Sequence, residues 1–297
     1  MMILAHLKGV PLAEAEALAA LQLKNTKRDG RFFIGEAEPR KVMLAYSHAV
    51  YELLFSCDAA GLEKRCEVFD WQMYCRGSYA VRSSKSQVEL ADIIWRSLRQ
   101  PKVDLSKPKT VFQFFFGRKA YACRLLQEMP KPLPSTTSWP EFHPASMDTR
   151  LARAMVNLAQ SKTILDPFCG IGTIPIEAAL QDRKAMGSDI DPIMVKRARI
   201  NAKHLKAKAA LKVADAFKAN APTMVTELPF GKNSRMIGPD DFFEGFLKRC
   251  KAKRLVAVFP EDKKILRAAK RHWKVEQHHT IRVHKSLTKM LLVCSQK

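Results

Sequence analysis

The N-terminal half of the chain mixes two hydrophobic periods. Some apolar residues recur every three or four positions, as on one face of a helix, whereas others alternate or run together, as in strands. This mixture predicts an α+β region. The predicted elements are strands at 3–9, 31–37 and 78–83, helices at 12–23 and 88–100, a strand that passes into a helix at 42–57, and a hairpin over 110–126 that turns at Gly117.

The predicted hairpin carries two features that bear on function. Phe112, Phe114 and Phe116 alternate along its first strand, so they should share one face. Stacking on nucleic-acid bases would suit such a row of rings, but a buried core is the favoured interpretation. Arg118 and Lys119 follow at the turn, where contact with phosphate and a plain solvated turn explain them equally well.

Prolines are concentrated between the two halves of the chain. Proline cannot continue a helix interior or an internal strand, so this density predicts an extended linker over 129–147. We therefore expect one domain over 1–128 and a second over 148–297. The prolines of this segment are Pro130, Pro132, Pro134, Pro140 and Pro144.

After residue 148 the pattern changes to short apolar strands that alternate with helices. Repeated strand–helix units predict an α/β domain with a doubly wound, mostly parallel, Rossmann-like sheet. Right-handed connections bring the carboxyl ends of such strands to one edge, where ligands bind. Strands are predicted at 163–166, 184–189, 211–215, 222–227, 254–259, 274–283 and 288–294, and helices at 173–181, 192–205 and 261–272.

The net charge of the chain indicates which class of partner it binds. Lys and Arg together number 51 and Asp and Glu 29, which gives a net charge of +22. A positive field of this size favours nucleic acid, with an anionic membrane surface as the alternative. No apolar run approaches the roughly 18 residues that cross a bilayer, and the N-terminus does not resemble a secretory signal, so we expect no membrane insertion.

The seven cysteines give little support to a metal site. Their number is odd and no CxxC pair occurs, so zinc ligation is disfavoured and a reducing, cytoplasmic compartment fits best. Cys57, Cys66 and Cys75 are evenly spaced, but buried free thiols are favoured over a metal site there.

Acidic residues stand at the ends of four predicted strands of the second half. They are Asp166, Asp189, Asp215 and Glu227. Carboxylates gathered at one edge of a sheet repel one another, so each of them needs a partner. This arrangement therefore predicts a binding site rather than a purely structural edge.

The segment after Asp166 indicates which ligand the site takes. Gly170 and Gly172 form a GxG between strand and helix, but Pro175 stands where a dinucleotide fingerprint has a third glycine. A phosphate-binding loop is excluded because no Gly-Lys-Ser/Thr follows. Asp189 has the spacing of a ribose-binding acid. S-adenosylmethionine, with its ribose, its positive sulfonium and amino groups and no phosphate, meets these demands.

The turn at 226–231 suggests the acceptor chemistry. Thr-Glu-Leu-Pro-Phe-Gly resembles the (Asn/Asp)-Pro-Pro-(Tyr/Phe) motif of amino-group methyltransferases, with Glu227 for Asp or Asn and Leu228 for the first proline. A carboxylate and a turned carbonyl accept the N–H bonds of a base amine and draw its lone pair out of conjugation. Pro229 fixes the turn, and Phe230 would stack on the base.

Taken together, these motifs resemble one family over almost the whole chain. Segments 166–179, 187–202, 214–217 and 226–232, preceded by 141–159, are similar to THUMP-domain RNA methyltransferases. Residues 282–293 resemble the closing strands of archaeal tRNA guanine-10 N2-methyltransferases, and 78–98 resembles their THUMP module. The resemblance implies a Rossmann-like class I methyltransferase domain behind a ferredoxin-like and THUMP RNA-binding region.

The implied activity is methylation of the exocyclic N2 amine of a guanosine in tRNA, with guanine-10 as the first choice. Guanine-6 is the alternative within the family. A DNA amino-methyltransferase and a catalytically weakened tRNA-binding protein are alternatives outside it. Some relatives work with a small zinc-binding activator subunit, so such a partner stays open.

The resemblance also assigns roles to individual residues. Asp189 should bind the ribose hydroxyls and Asp215 the adenine amine, while His143 and Pro144 either border the cofactor or belong to the linker alone. The remaining cofactor-binding candidates are Asp166, Phe168, Gly170, Gly172, Thr173, Ile190 and Ala216. The RNA-binding candidates are Arg118, Lys119, Lys232, Arg235, Arg282 and Lys285.

Overall fold

The computed structural model of the chain describes residues 1–131, 133–229, 239–284 and 287–297. Within them the chain forms two compact units. The first comprises Met1–Val42 and Tyr46–Pro130, and the second comprises Met43–Ala45 and Lys131–Lys297. Each unit is built on its own sheet.

The first unit is an α+β structure. Its elements are β1 (Met2–Leu7), α1 (Leu12–Leu21), β2 (Lys24–Asp29), β3 (Phe32–Glu36), β4 (Ser47–Cys57), a short 3-10 helix (Ala59–Gly61), α2 (Leu62–Glu67), α3 (Trp71–Tyr74), β5 (Tyr79–Arg82), α4 (Gln87–Ser97), β6 (Thr110–Phe116) and β7 (Ala120–Glu128). In the described residues these strands form one seven-stranded sheet in the order β2-β3-β1-β4-β7-β6-β5. Only the pairing of β5 with β6 is parallel among them.

The predicted hairpin around Gly117 is confirmed, and its rings are part of the core. Phe112 and Phe114 are fully buried, and Phe116 packs partly buried against the same cluster. Trp71 lies at the centre of this cluster, edge-on to Phe112, and its indole Nε1 donates to the Cys66 carbonyl at 2.8 Å. The core interpretation is therefore correct for these rings, and base stacking is not needed to explain them.

One expectation for this unit was wrong, and one strand was not predicted. Residues 42–57 do not pass from strand into helix, because Ser47–Cys57 is one long strand between β1 and β7. Side chains on both faces of this strand are largely covered, so its apolar residues do not alternate and its pattern resembles that of a helix. The sequence analysis also missed β2, whose residues are polar and exposed except for Asp29. Such a charged strand is typical of a sheet edge.

The second unit has the predicted strand–helix alternation. Its elements are a short 3-10 helix (Thr136–Ser138), α5 (Thr149–Leu158), β8 (Thr163–Asp166), α6 (Thr173–Leu180), β9 (Lys184–Asp189), α7 (Pro192–His204), β10 (Ala209–Val213), a 3-10 turn (Ala216–Lys218), β11 (Thr223–Glu227), α8 (Pro239–Arg249), β12 (Arg254–Pro260), α9 (Lys263–His272), β13 (Trp273–His284) and β14 (Leu287–Gln296). The helices α5 and α8 were not predicted.

The sheet of this unit has the order β10-β9-β8-β11-β12-β14-β13 across the described residues. The first five strands of that order run parallel, and β14 is antiparallel to both β12 and β13. The mostly parallel, doubly wound sheet is therefore confirmed. Among the described residues, no helix has both the length and the apolar character needed to cross a bilayer.

The proline-rich segment packs against the second unit. Trp139 is buried with Ile171, Ile176 and Ala202, and its ring nitrogen donates to the Pro134 carbonyl at 3.3 Å. From Lys131 onward this segment therefore belongs to the compact second unit, although it was predicted as an extended linker. All seven cysteines of the chain are free thiols.

Gly187 of β9, which the sequence analysis did not single out, leaves room for helix α6 to pack closely against the strand. A Cβ on Gly187 of β9 would lie 2.8 Å from Leu211 Cδ2, 3.0 Å from Cys169 Cβ and 3.0 Å from Pro175 Cγ. Pro175, at the place of the missing third glycine, therefore packs over Gly187. The glycine that allows close approach stands in the strand instead of in the helix.

We predict that Gly187→Ala destabilises the second unit by about 1–3 kcal/mol, because the added methyl meets neighbours on three sides. Chemical denaturation followed by tryptophan fluorescence measures this cost. The matched control is Gly245→Ala in α8, where the added Cβ makes an ordinary 3.8 Å contact with Phe217. Equal unfolding midpoints for Gly187→Ala and the wild type would contradict the packing described here.

Candidate active site

Three of the four predicted carboxylates come together at the carboxyl edge of the second sheet. Asp166 ends β8, Asp189 ends β9 and Glu227 ends β11. Because these strands are parallel and adjacent in the order β9-β8-β11, their ends lie side by side. Burial is the main cause that raises the pKa of the Asp166 carboxyl, and the negative charges of Asp189 and Glu227 raise it as well. The predicted crowding of acids at one edge is thus present.

The glycine loop is tied to Asp189 by backbone hydrogen bonds. The amide of Gly170 donates to Asp189 Oδ2 at 2.8 Å, and the amide of Asp191 donates to Oδ1 at 3.0 Å. Gly170 and Gly172 have φ values of +50° and +93°, a region that glycine adopts without strain. No heavy atom of the residues that the structure describes lies within 4 Å of the position of a Cβ on Gly170, so the backbone there faces open space among them. Asp189 thereby shapes a loop that a ligand can approach closely.

Asp166 is buried behind this loop. Its Oδ1 accepts the Thr226 hydroxyl at 2.6 Å and the Phe168 amide at 3.0 Å. Burial and, to a lesser degree, the neighbouring carboxylates raise the pKa of its carboxyl to about 7, although the two hydrogen bonds act in the opposite direction. A cation placed next to this group would favour its ionised form.

The end of β10 brings a fourth acid and a set of rings. Asp215 caps the short 3-10 turn by accepting the Phe217 amide at 2.9 Å, and Ala216 beside it is buried. Phe217 packs edge-on against Phe242 of α8, with ring centroids 5.6 Å apart. Phe168 packs on Phe242 and on Phe246, at 5.9 and 5.3 Å. The sequence analysis missed this ring cluster because it did not predict α8.

Glu227 has a partner that the sequence analysis also missed. The ammonium Nζ of Lys289, on β14, lies 2.5 Å from Glu227 Oε1, and the two side chains are only 15% and 16% exposed. Burial raises the pKa of Glu227, whereas Lys289 lowers it. Strands far apart in sequence supply the two residues, so nothing in the linear motif points to the lysine.

The structure explains the unusual residue after Glu227. The amide of Leu228 donates to the Val258 carbonyl at 3.1 Å, and its side chain is buried in the core. Proline has no amide hydrogen, so it could not make this bond. Pro229 follows and is exposed. The predicted residues Phe230, Lys232, Arg235 and Lys285 lie outside the described residues.

The other predicted site residues have various surroundings. Thr173 is buried in the first turn of α6, and Ile190 is 66% exposed next to Asp189. Arg282 is exposed on β13, and Arg118 and Lys119 are exposed at the hairpin tip of the first unit. His143 accepts the Ala145 amide on Nδ1 at 3.2 Å, within a turn.

A buried asparagine connects the segment of His143 to the glycine loop. Asn201 of α7 is fully buried; its side chain accepts the Glu141 amide at 3.0 Å and donates to the carbonyls of Glu141 and Ile171, at 3.0 and 3.1 Å. No group of three or more metal-binding side chains occurs in the part of the chain that the structure describes.

The groups that the carboxyl edge of the sheet offers to a ligand are thus the acids, the open backbone and the aromatic rings described above.

Strand order and site together define the class of the protein. A parallel sheet in this order, closed by an antiparallel strand and carrying a glycine loop and strand-end acids, is the class I methyltransferase fold. The chain superimposes over its whole length on the whole of TrmN from Thermus thermophilus, with a TM-score of 0.52 and 19% sequence identity, which supports the fold.

The family follows from the sequence of the second unit. Residues 138–290, more than half of the chain, match the family model described as UPF0020, RMKL-like, methyltransferase domain. The chain belongs to that family. A further model, described as DNA methylase, matches residues 71–199.

Two archaeal relatives match most of the chain, and both are named tRNA (guanine(10)-N2)-dimethyltransferase. The one from Pyrococcus abyssi is 29% identical over 313 residues, covering 95% of each chain. The one from Methanothermobacter thermautotrophicus is 29% identical over 289 residues, covering 85% of this chain and 83% of the relative. The resemblance seen in the sequence motifs is therefore confirmed at the level of the family.

We predict that Asp166 makes the second unit less stable as the pH rises. The pKa of its carboxyl is raised from 3.8 to about 7. The stability that this group contributes is therefore fully present below about pH 4 and is lost through about pH 7. Between about pH 5 and about pH 7.5 the loss from this group should be on the order of 2 kcal/mol.

Urea unfolding of the wild type and of Asp166→Asn at both pH values measures this dependence. The amide of the variant does not titrate, so its unfolding free energy should fall less over the same range. Asp189 and Glu227 are present in both proteins, so the comparison isolates the part of the pH dependence that requires the Asp166 carboxyl. An equal fall in both would show that Asp166 is not the titrating group.

Proposed function

We propose that the protein transfers a methyl group from S-adenosylmethionine to the exocyclic N2 amine of a guanosine in tRNA, with guanine-10 as the first choice. The observation that carries this proposal is the position of Glu227. Its carboxylate ends β11 at the same sheet edge as Asp166, Asp189 and the open backbone at Gly170. The archaeal relatives, through the reaction in their names, support the choice of substrate.

The residues at this edge of the sheet suit S-adenosylmethionine better than a phosphate-bearing cofactor. The loop 166–173 contains no Lys or Arg to hold a phosphate, and the carboxylates at its edge would repel one. The open space at Gly170 admits a ligand close to the backbone. When bound, S-adenosylmethionine supplies an electrophilic methyl carbon attached to a positively charged sulfur.

Each pocket residue then has a proposed role. Asp189, already oriented by two backbone amides, accepts the ribose hydroxyls, and Asp215 accepts the adenine amine. Asp166 offers its buried carboxylate to the positive end of the cofactor, which favours its ionised form. The remaining contacts are assigned to Phe168, Gly170, Gly172, Thr173, Ile190 and Ala216.

The acceptor amine needs orientation more than it needs a strong base. Its lone pair is delocalised into the guanine ring, so it is a weak nucleophile. Glu227 accepts a hydrogen bond from an N–H of this amine and thereby draws the lone pair out of conjugation with the ring. The turn at Pro229 contributes a backbone carbonyl as a second acceptor, and Phe230 is proposed to stack on the base.

The first unit is proposed to bind the tRNA. Its α+β sheet is consistent with a ferredoxin-like and THUMP region over 1–128, with catalysis assigned to 148–297. At the hairpin tip the buried carboxylate of Asp29 accepts the Arg118 amide and the Tyr121 hydroxyl, both at 2.7 Å. This contact fixes the hairpin tip, where Arg118 and Lys119 are exposed, so both side chains can contact phosphates of a bound tRNA. The free thiols fit a reducing cytoplasm.

We predict that Glu227→Gln lowers methyl transfer by about 100-fold or more, because the amide is uncharged and accepts the amine less strongly. Unmodified tRNA transcript, purified chain and S-adenosylmethionine are incubated, and nucleosides are identified by mass spectrometry. The variant should still bind S-adenosylmethionine in calorimetry. Wild-type rates in Glu227→Gln would remove this residue from the mechanism.

The same assay identifies the nucleotide. Inosine lacks the N2 amine, so a transcript with inosine at position 10 should accept no methyl group, whereas one with inosine at position 6 should behave normally. The reverse result would favour guanine-6. Methylation of duplex DNA in preference to tRNA would favour the DNA enzyme, and donor binding without transfer would favour the weakened tRNA-binding protein. Activity of the chain alone would make an activator subunit dispensable.

We predict that Arg118→Gln combined with Lys119→Gln weakens tRNA binding and reduces the slope of log affinity against log salt by about 1 to 2. Filter binding at several salt concentrations measures this slope. The control replaces Lys248 and Lys251, which are exposed at the opposite edge of the second sheet, by Gln. An equal effect in both double variants would indicate that net charge matters and that the hairpin tip does not.

A further inference from the structure

We propose that Lys289 is a positioning residue for methyl transfer: its ammonium holds one carboxylate oxygen of Glu227 and leaves the other for the acceptor amine. This proposal rests on the function proposed above. The sequence motif places all of the acceptor-binding residues within 226–231. The proposal adds to them Lys289, which lies on β14.

The two residues reach each other across a strand. Glu227 on β11 stands opposite Val258 of β12, whereas Lys289 on β14 stands opposite Pro260 of β12. Because β12 lies between β11 and β14, their backbones are about 10 Å apart, two strand spacings. The 2.5 Å contact between Lys289 Nζ and Glu227 Oε1 therefore uses the full reach of two long side chains.

This geometry accounts for glutamate in a turn where aspartate or asparagine is usual. An aspartate at 227 would withdraw the carboxylate by about one carbon–carbon bond, roughly 1.5 Å. The lysine would then lose contact or would have to move from its covered position. The side chains of Glu227 and Lys289 are therefore matched in length. Glutamate in place of the usual aspartate or asparagine and the lysine on β14 thus depend on each other.

The charges around Glu227 give the lysine its chemical effect. Asp166 lies close enough for the negative charge of Glu227 to raise its pKa, and Lys289 contacts Glu227 from the other side. Burial raises the pKa of Glu227 and Lys289 opposes that rise. An ionised carboxylate only accepts hydrogen bonds, whereas a protonated one also donates. Lys289 in contact with Glu227 thus favours the ionised form, which is the form that accepts an amine N–H.

Three variants separate this role from plain structural support. Lys289→Met keeps the length and removes the charge, Lys289→Arg keeps a cation, and Lys274→Met removes an exposed lysine from the neighbouring strand β13. Each protein is labelled with ¹³C at glutamate Cδ and titrated without cofactor or tRNA. The Glu227 resonance is assigned by its loss in Glu227→Gln.

We expect Lys289→Met to raise the titration midpoint of Glu227 by about one pH unit or more. Lys289→Arg and Lys274→Met should leave the midpoint within about half a unit of the wild type. In the tRNA assay, Lys289→Met should lower kcat about 10- to 100-fold near pH 7, recover partly above pH 8, and leave KM for tRNA within about threefold. Lys289→Arg should retain more activity than Lys289→Met.

The outcomes keep the two proposals apart. An active wild type with an unshifted midpoint or an unchanged kcat in Lys289→Met overturns the role of Lys289 alone. A loss of activity in Lys289→Met that is equal at every pH overturns it too, because it indicates structural damage. If the wild type transfers no methyl group to tRNA, the proposed function fails, and a shifted midpoint then leaves Lys289 as a structural partner only.

Discussion

The repulsion between carboxylates at the carboxyl edge of the second sheet determines which partners the other groups of the site must provide. Parallel strands place Asp166, Asp189 and Glu227 side by side, and each carboxylate is accommodated in a different way. Asp189 accepts two backbone amides, Asp166 is buried with a raised pKa and a threonine hydroxyl, and Glu227 pairs with Lys289. The conformation of the glycine loop follows from the first of these solutions, since its amide is what Asp189 accepts.

Much of this arrangement could be predicted from the sequence, because it depends on local pattern. Strand ends, the glycine loop and the acids after each strand are all contiguous in the chain, and the structure brings them to one edge as expected. The helical interpretation of 42–57 failed for a physical reason. A central strand with both faces covered has no polar alternation, so hydrophobic periodicity alone cannot distinguish it from a buried helix.

What the sequence did not reveal are partners that meet only through the fold. Lys289 reaches Glu227 from a strand 62 residues away, and nothing in a linear motif marks that lysine. Gly187 on β9 makes room for Pro175, so the glycine that permits close packing lies in a strand and not at the helix position where the motif would place it. The rings of α8 were missed with their helix. In each case the packing of separate elements against one another, and not spacing along the chain, decides which side chains meet.

The hydrogen bond between Leu228 and Val258 has a consequence for protein engineering. Consensus design replaces uncommon residues by those most frequent in related motifs, and by that rule Leu228 would become proline. Here proline would remove a hydrogen bond between two central strands and deprive the Val258 carbonyl of its donor. It would also remove the leucine side chain from the core. The most frequent residue of a motif can therefore be incompatible with a particular turn. Whether proline can replace Leu228 depends on how far β12 continues to pair with the chain after β11.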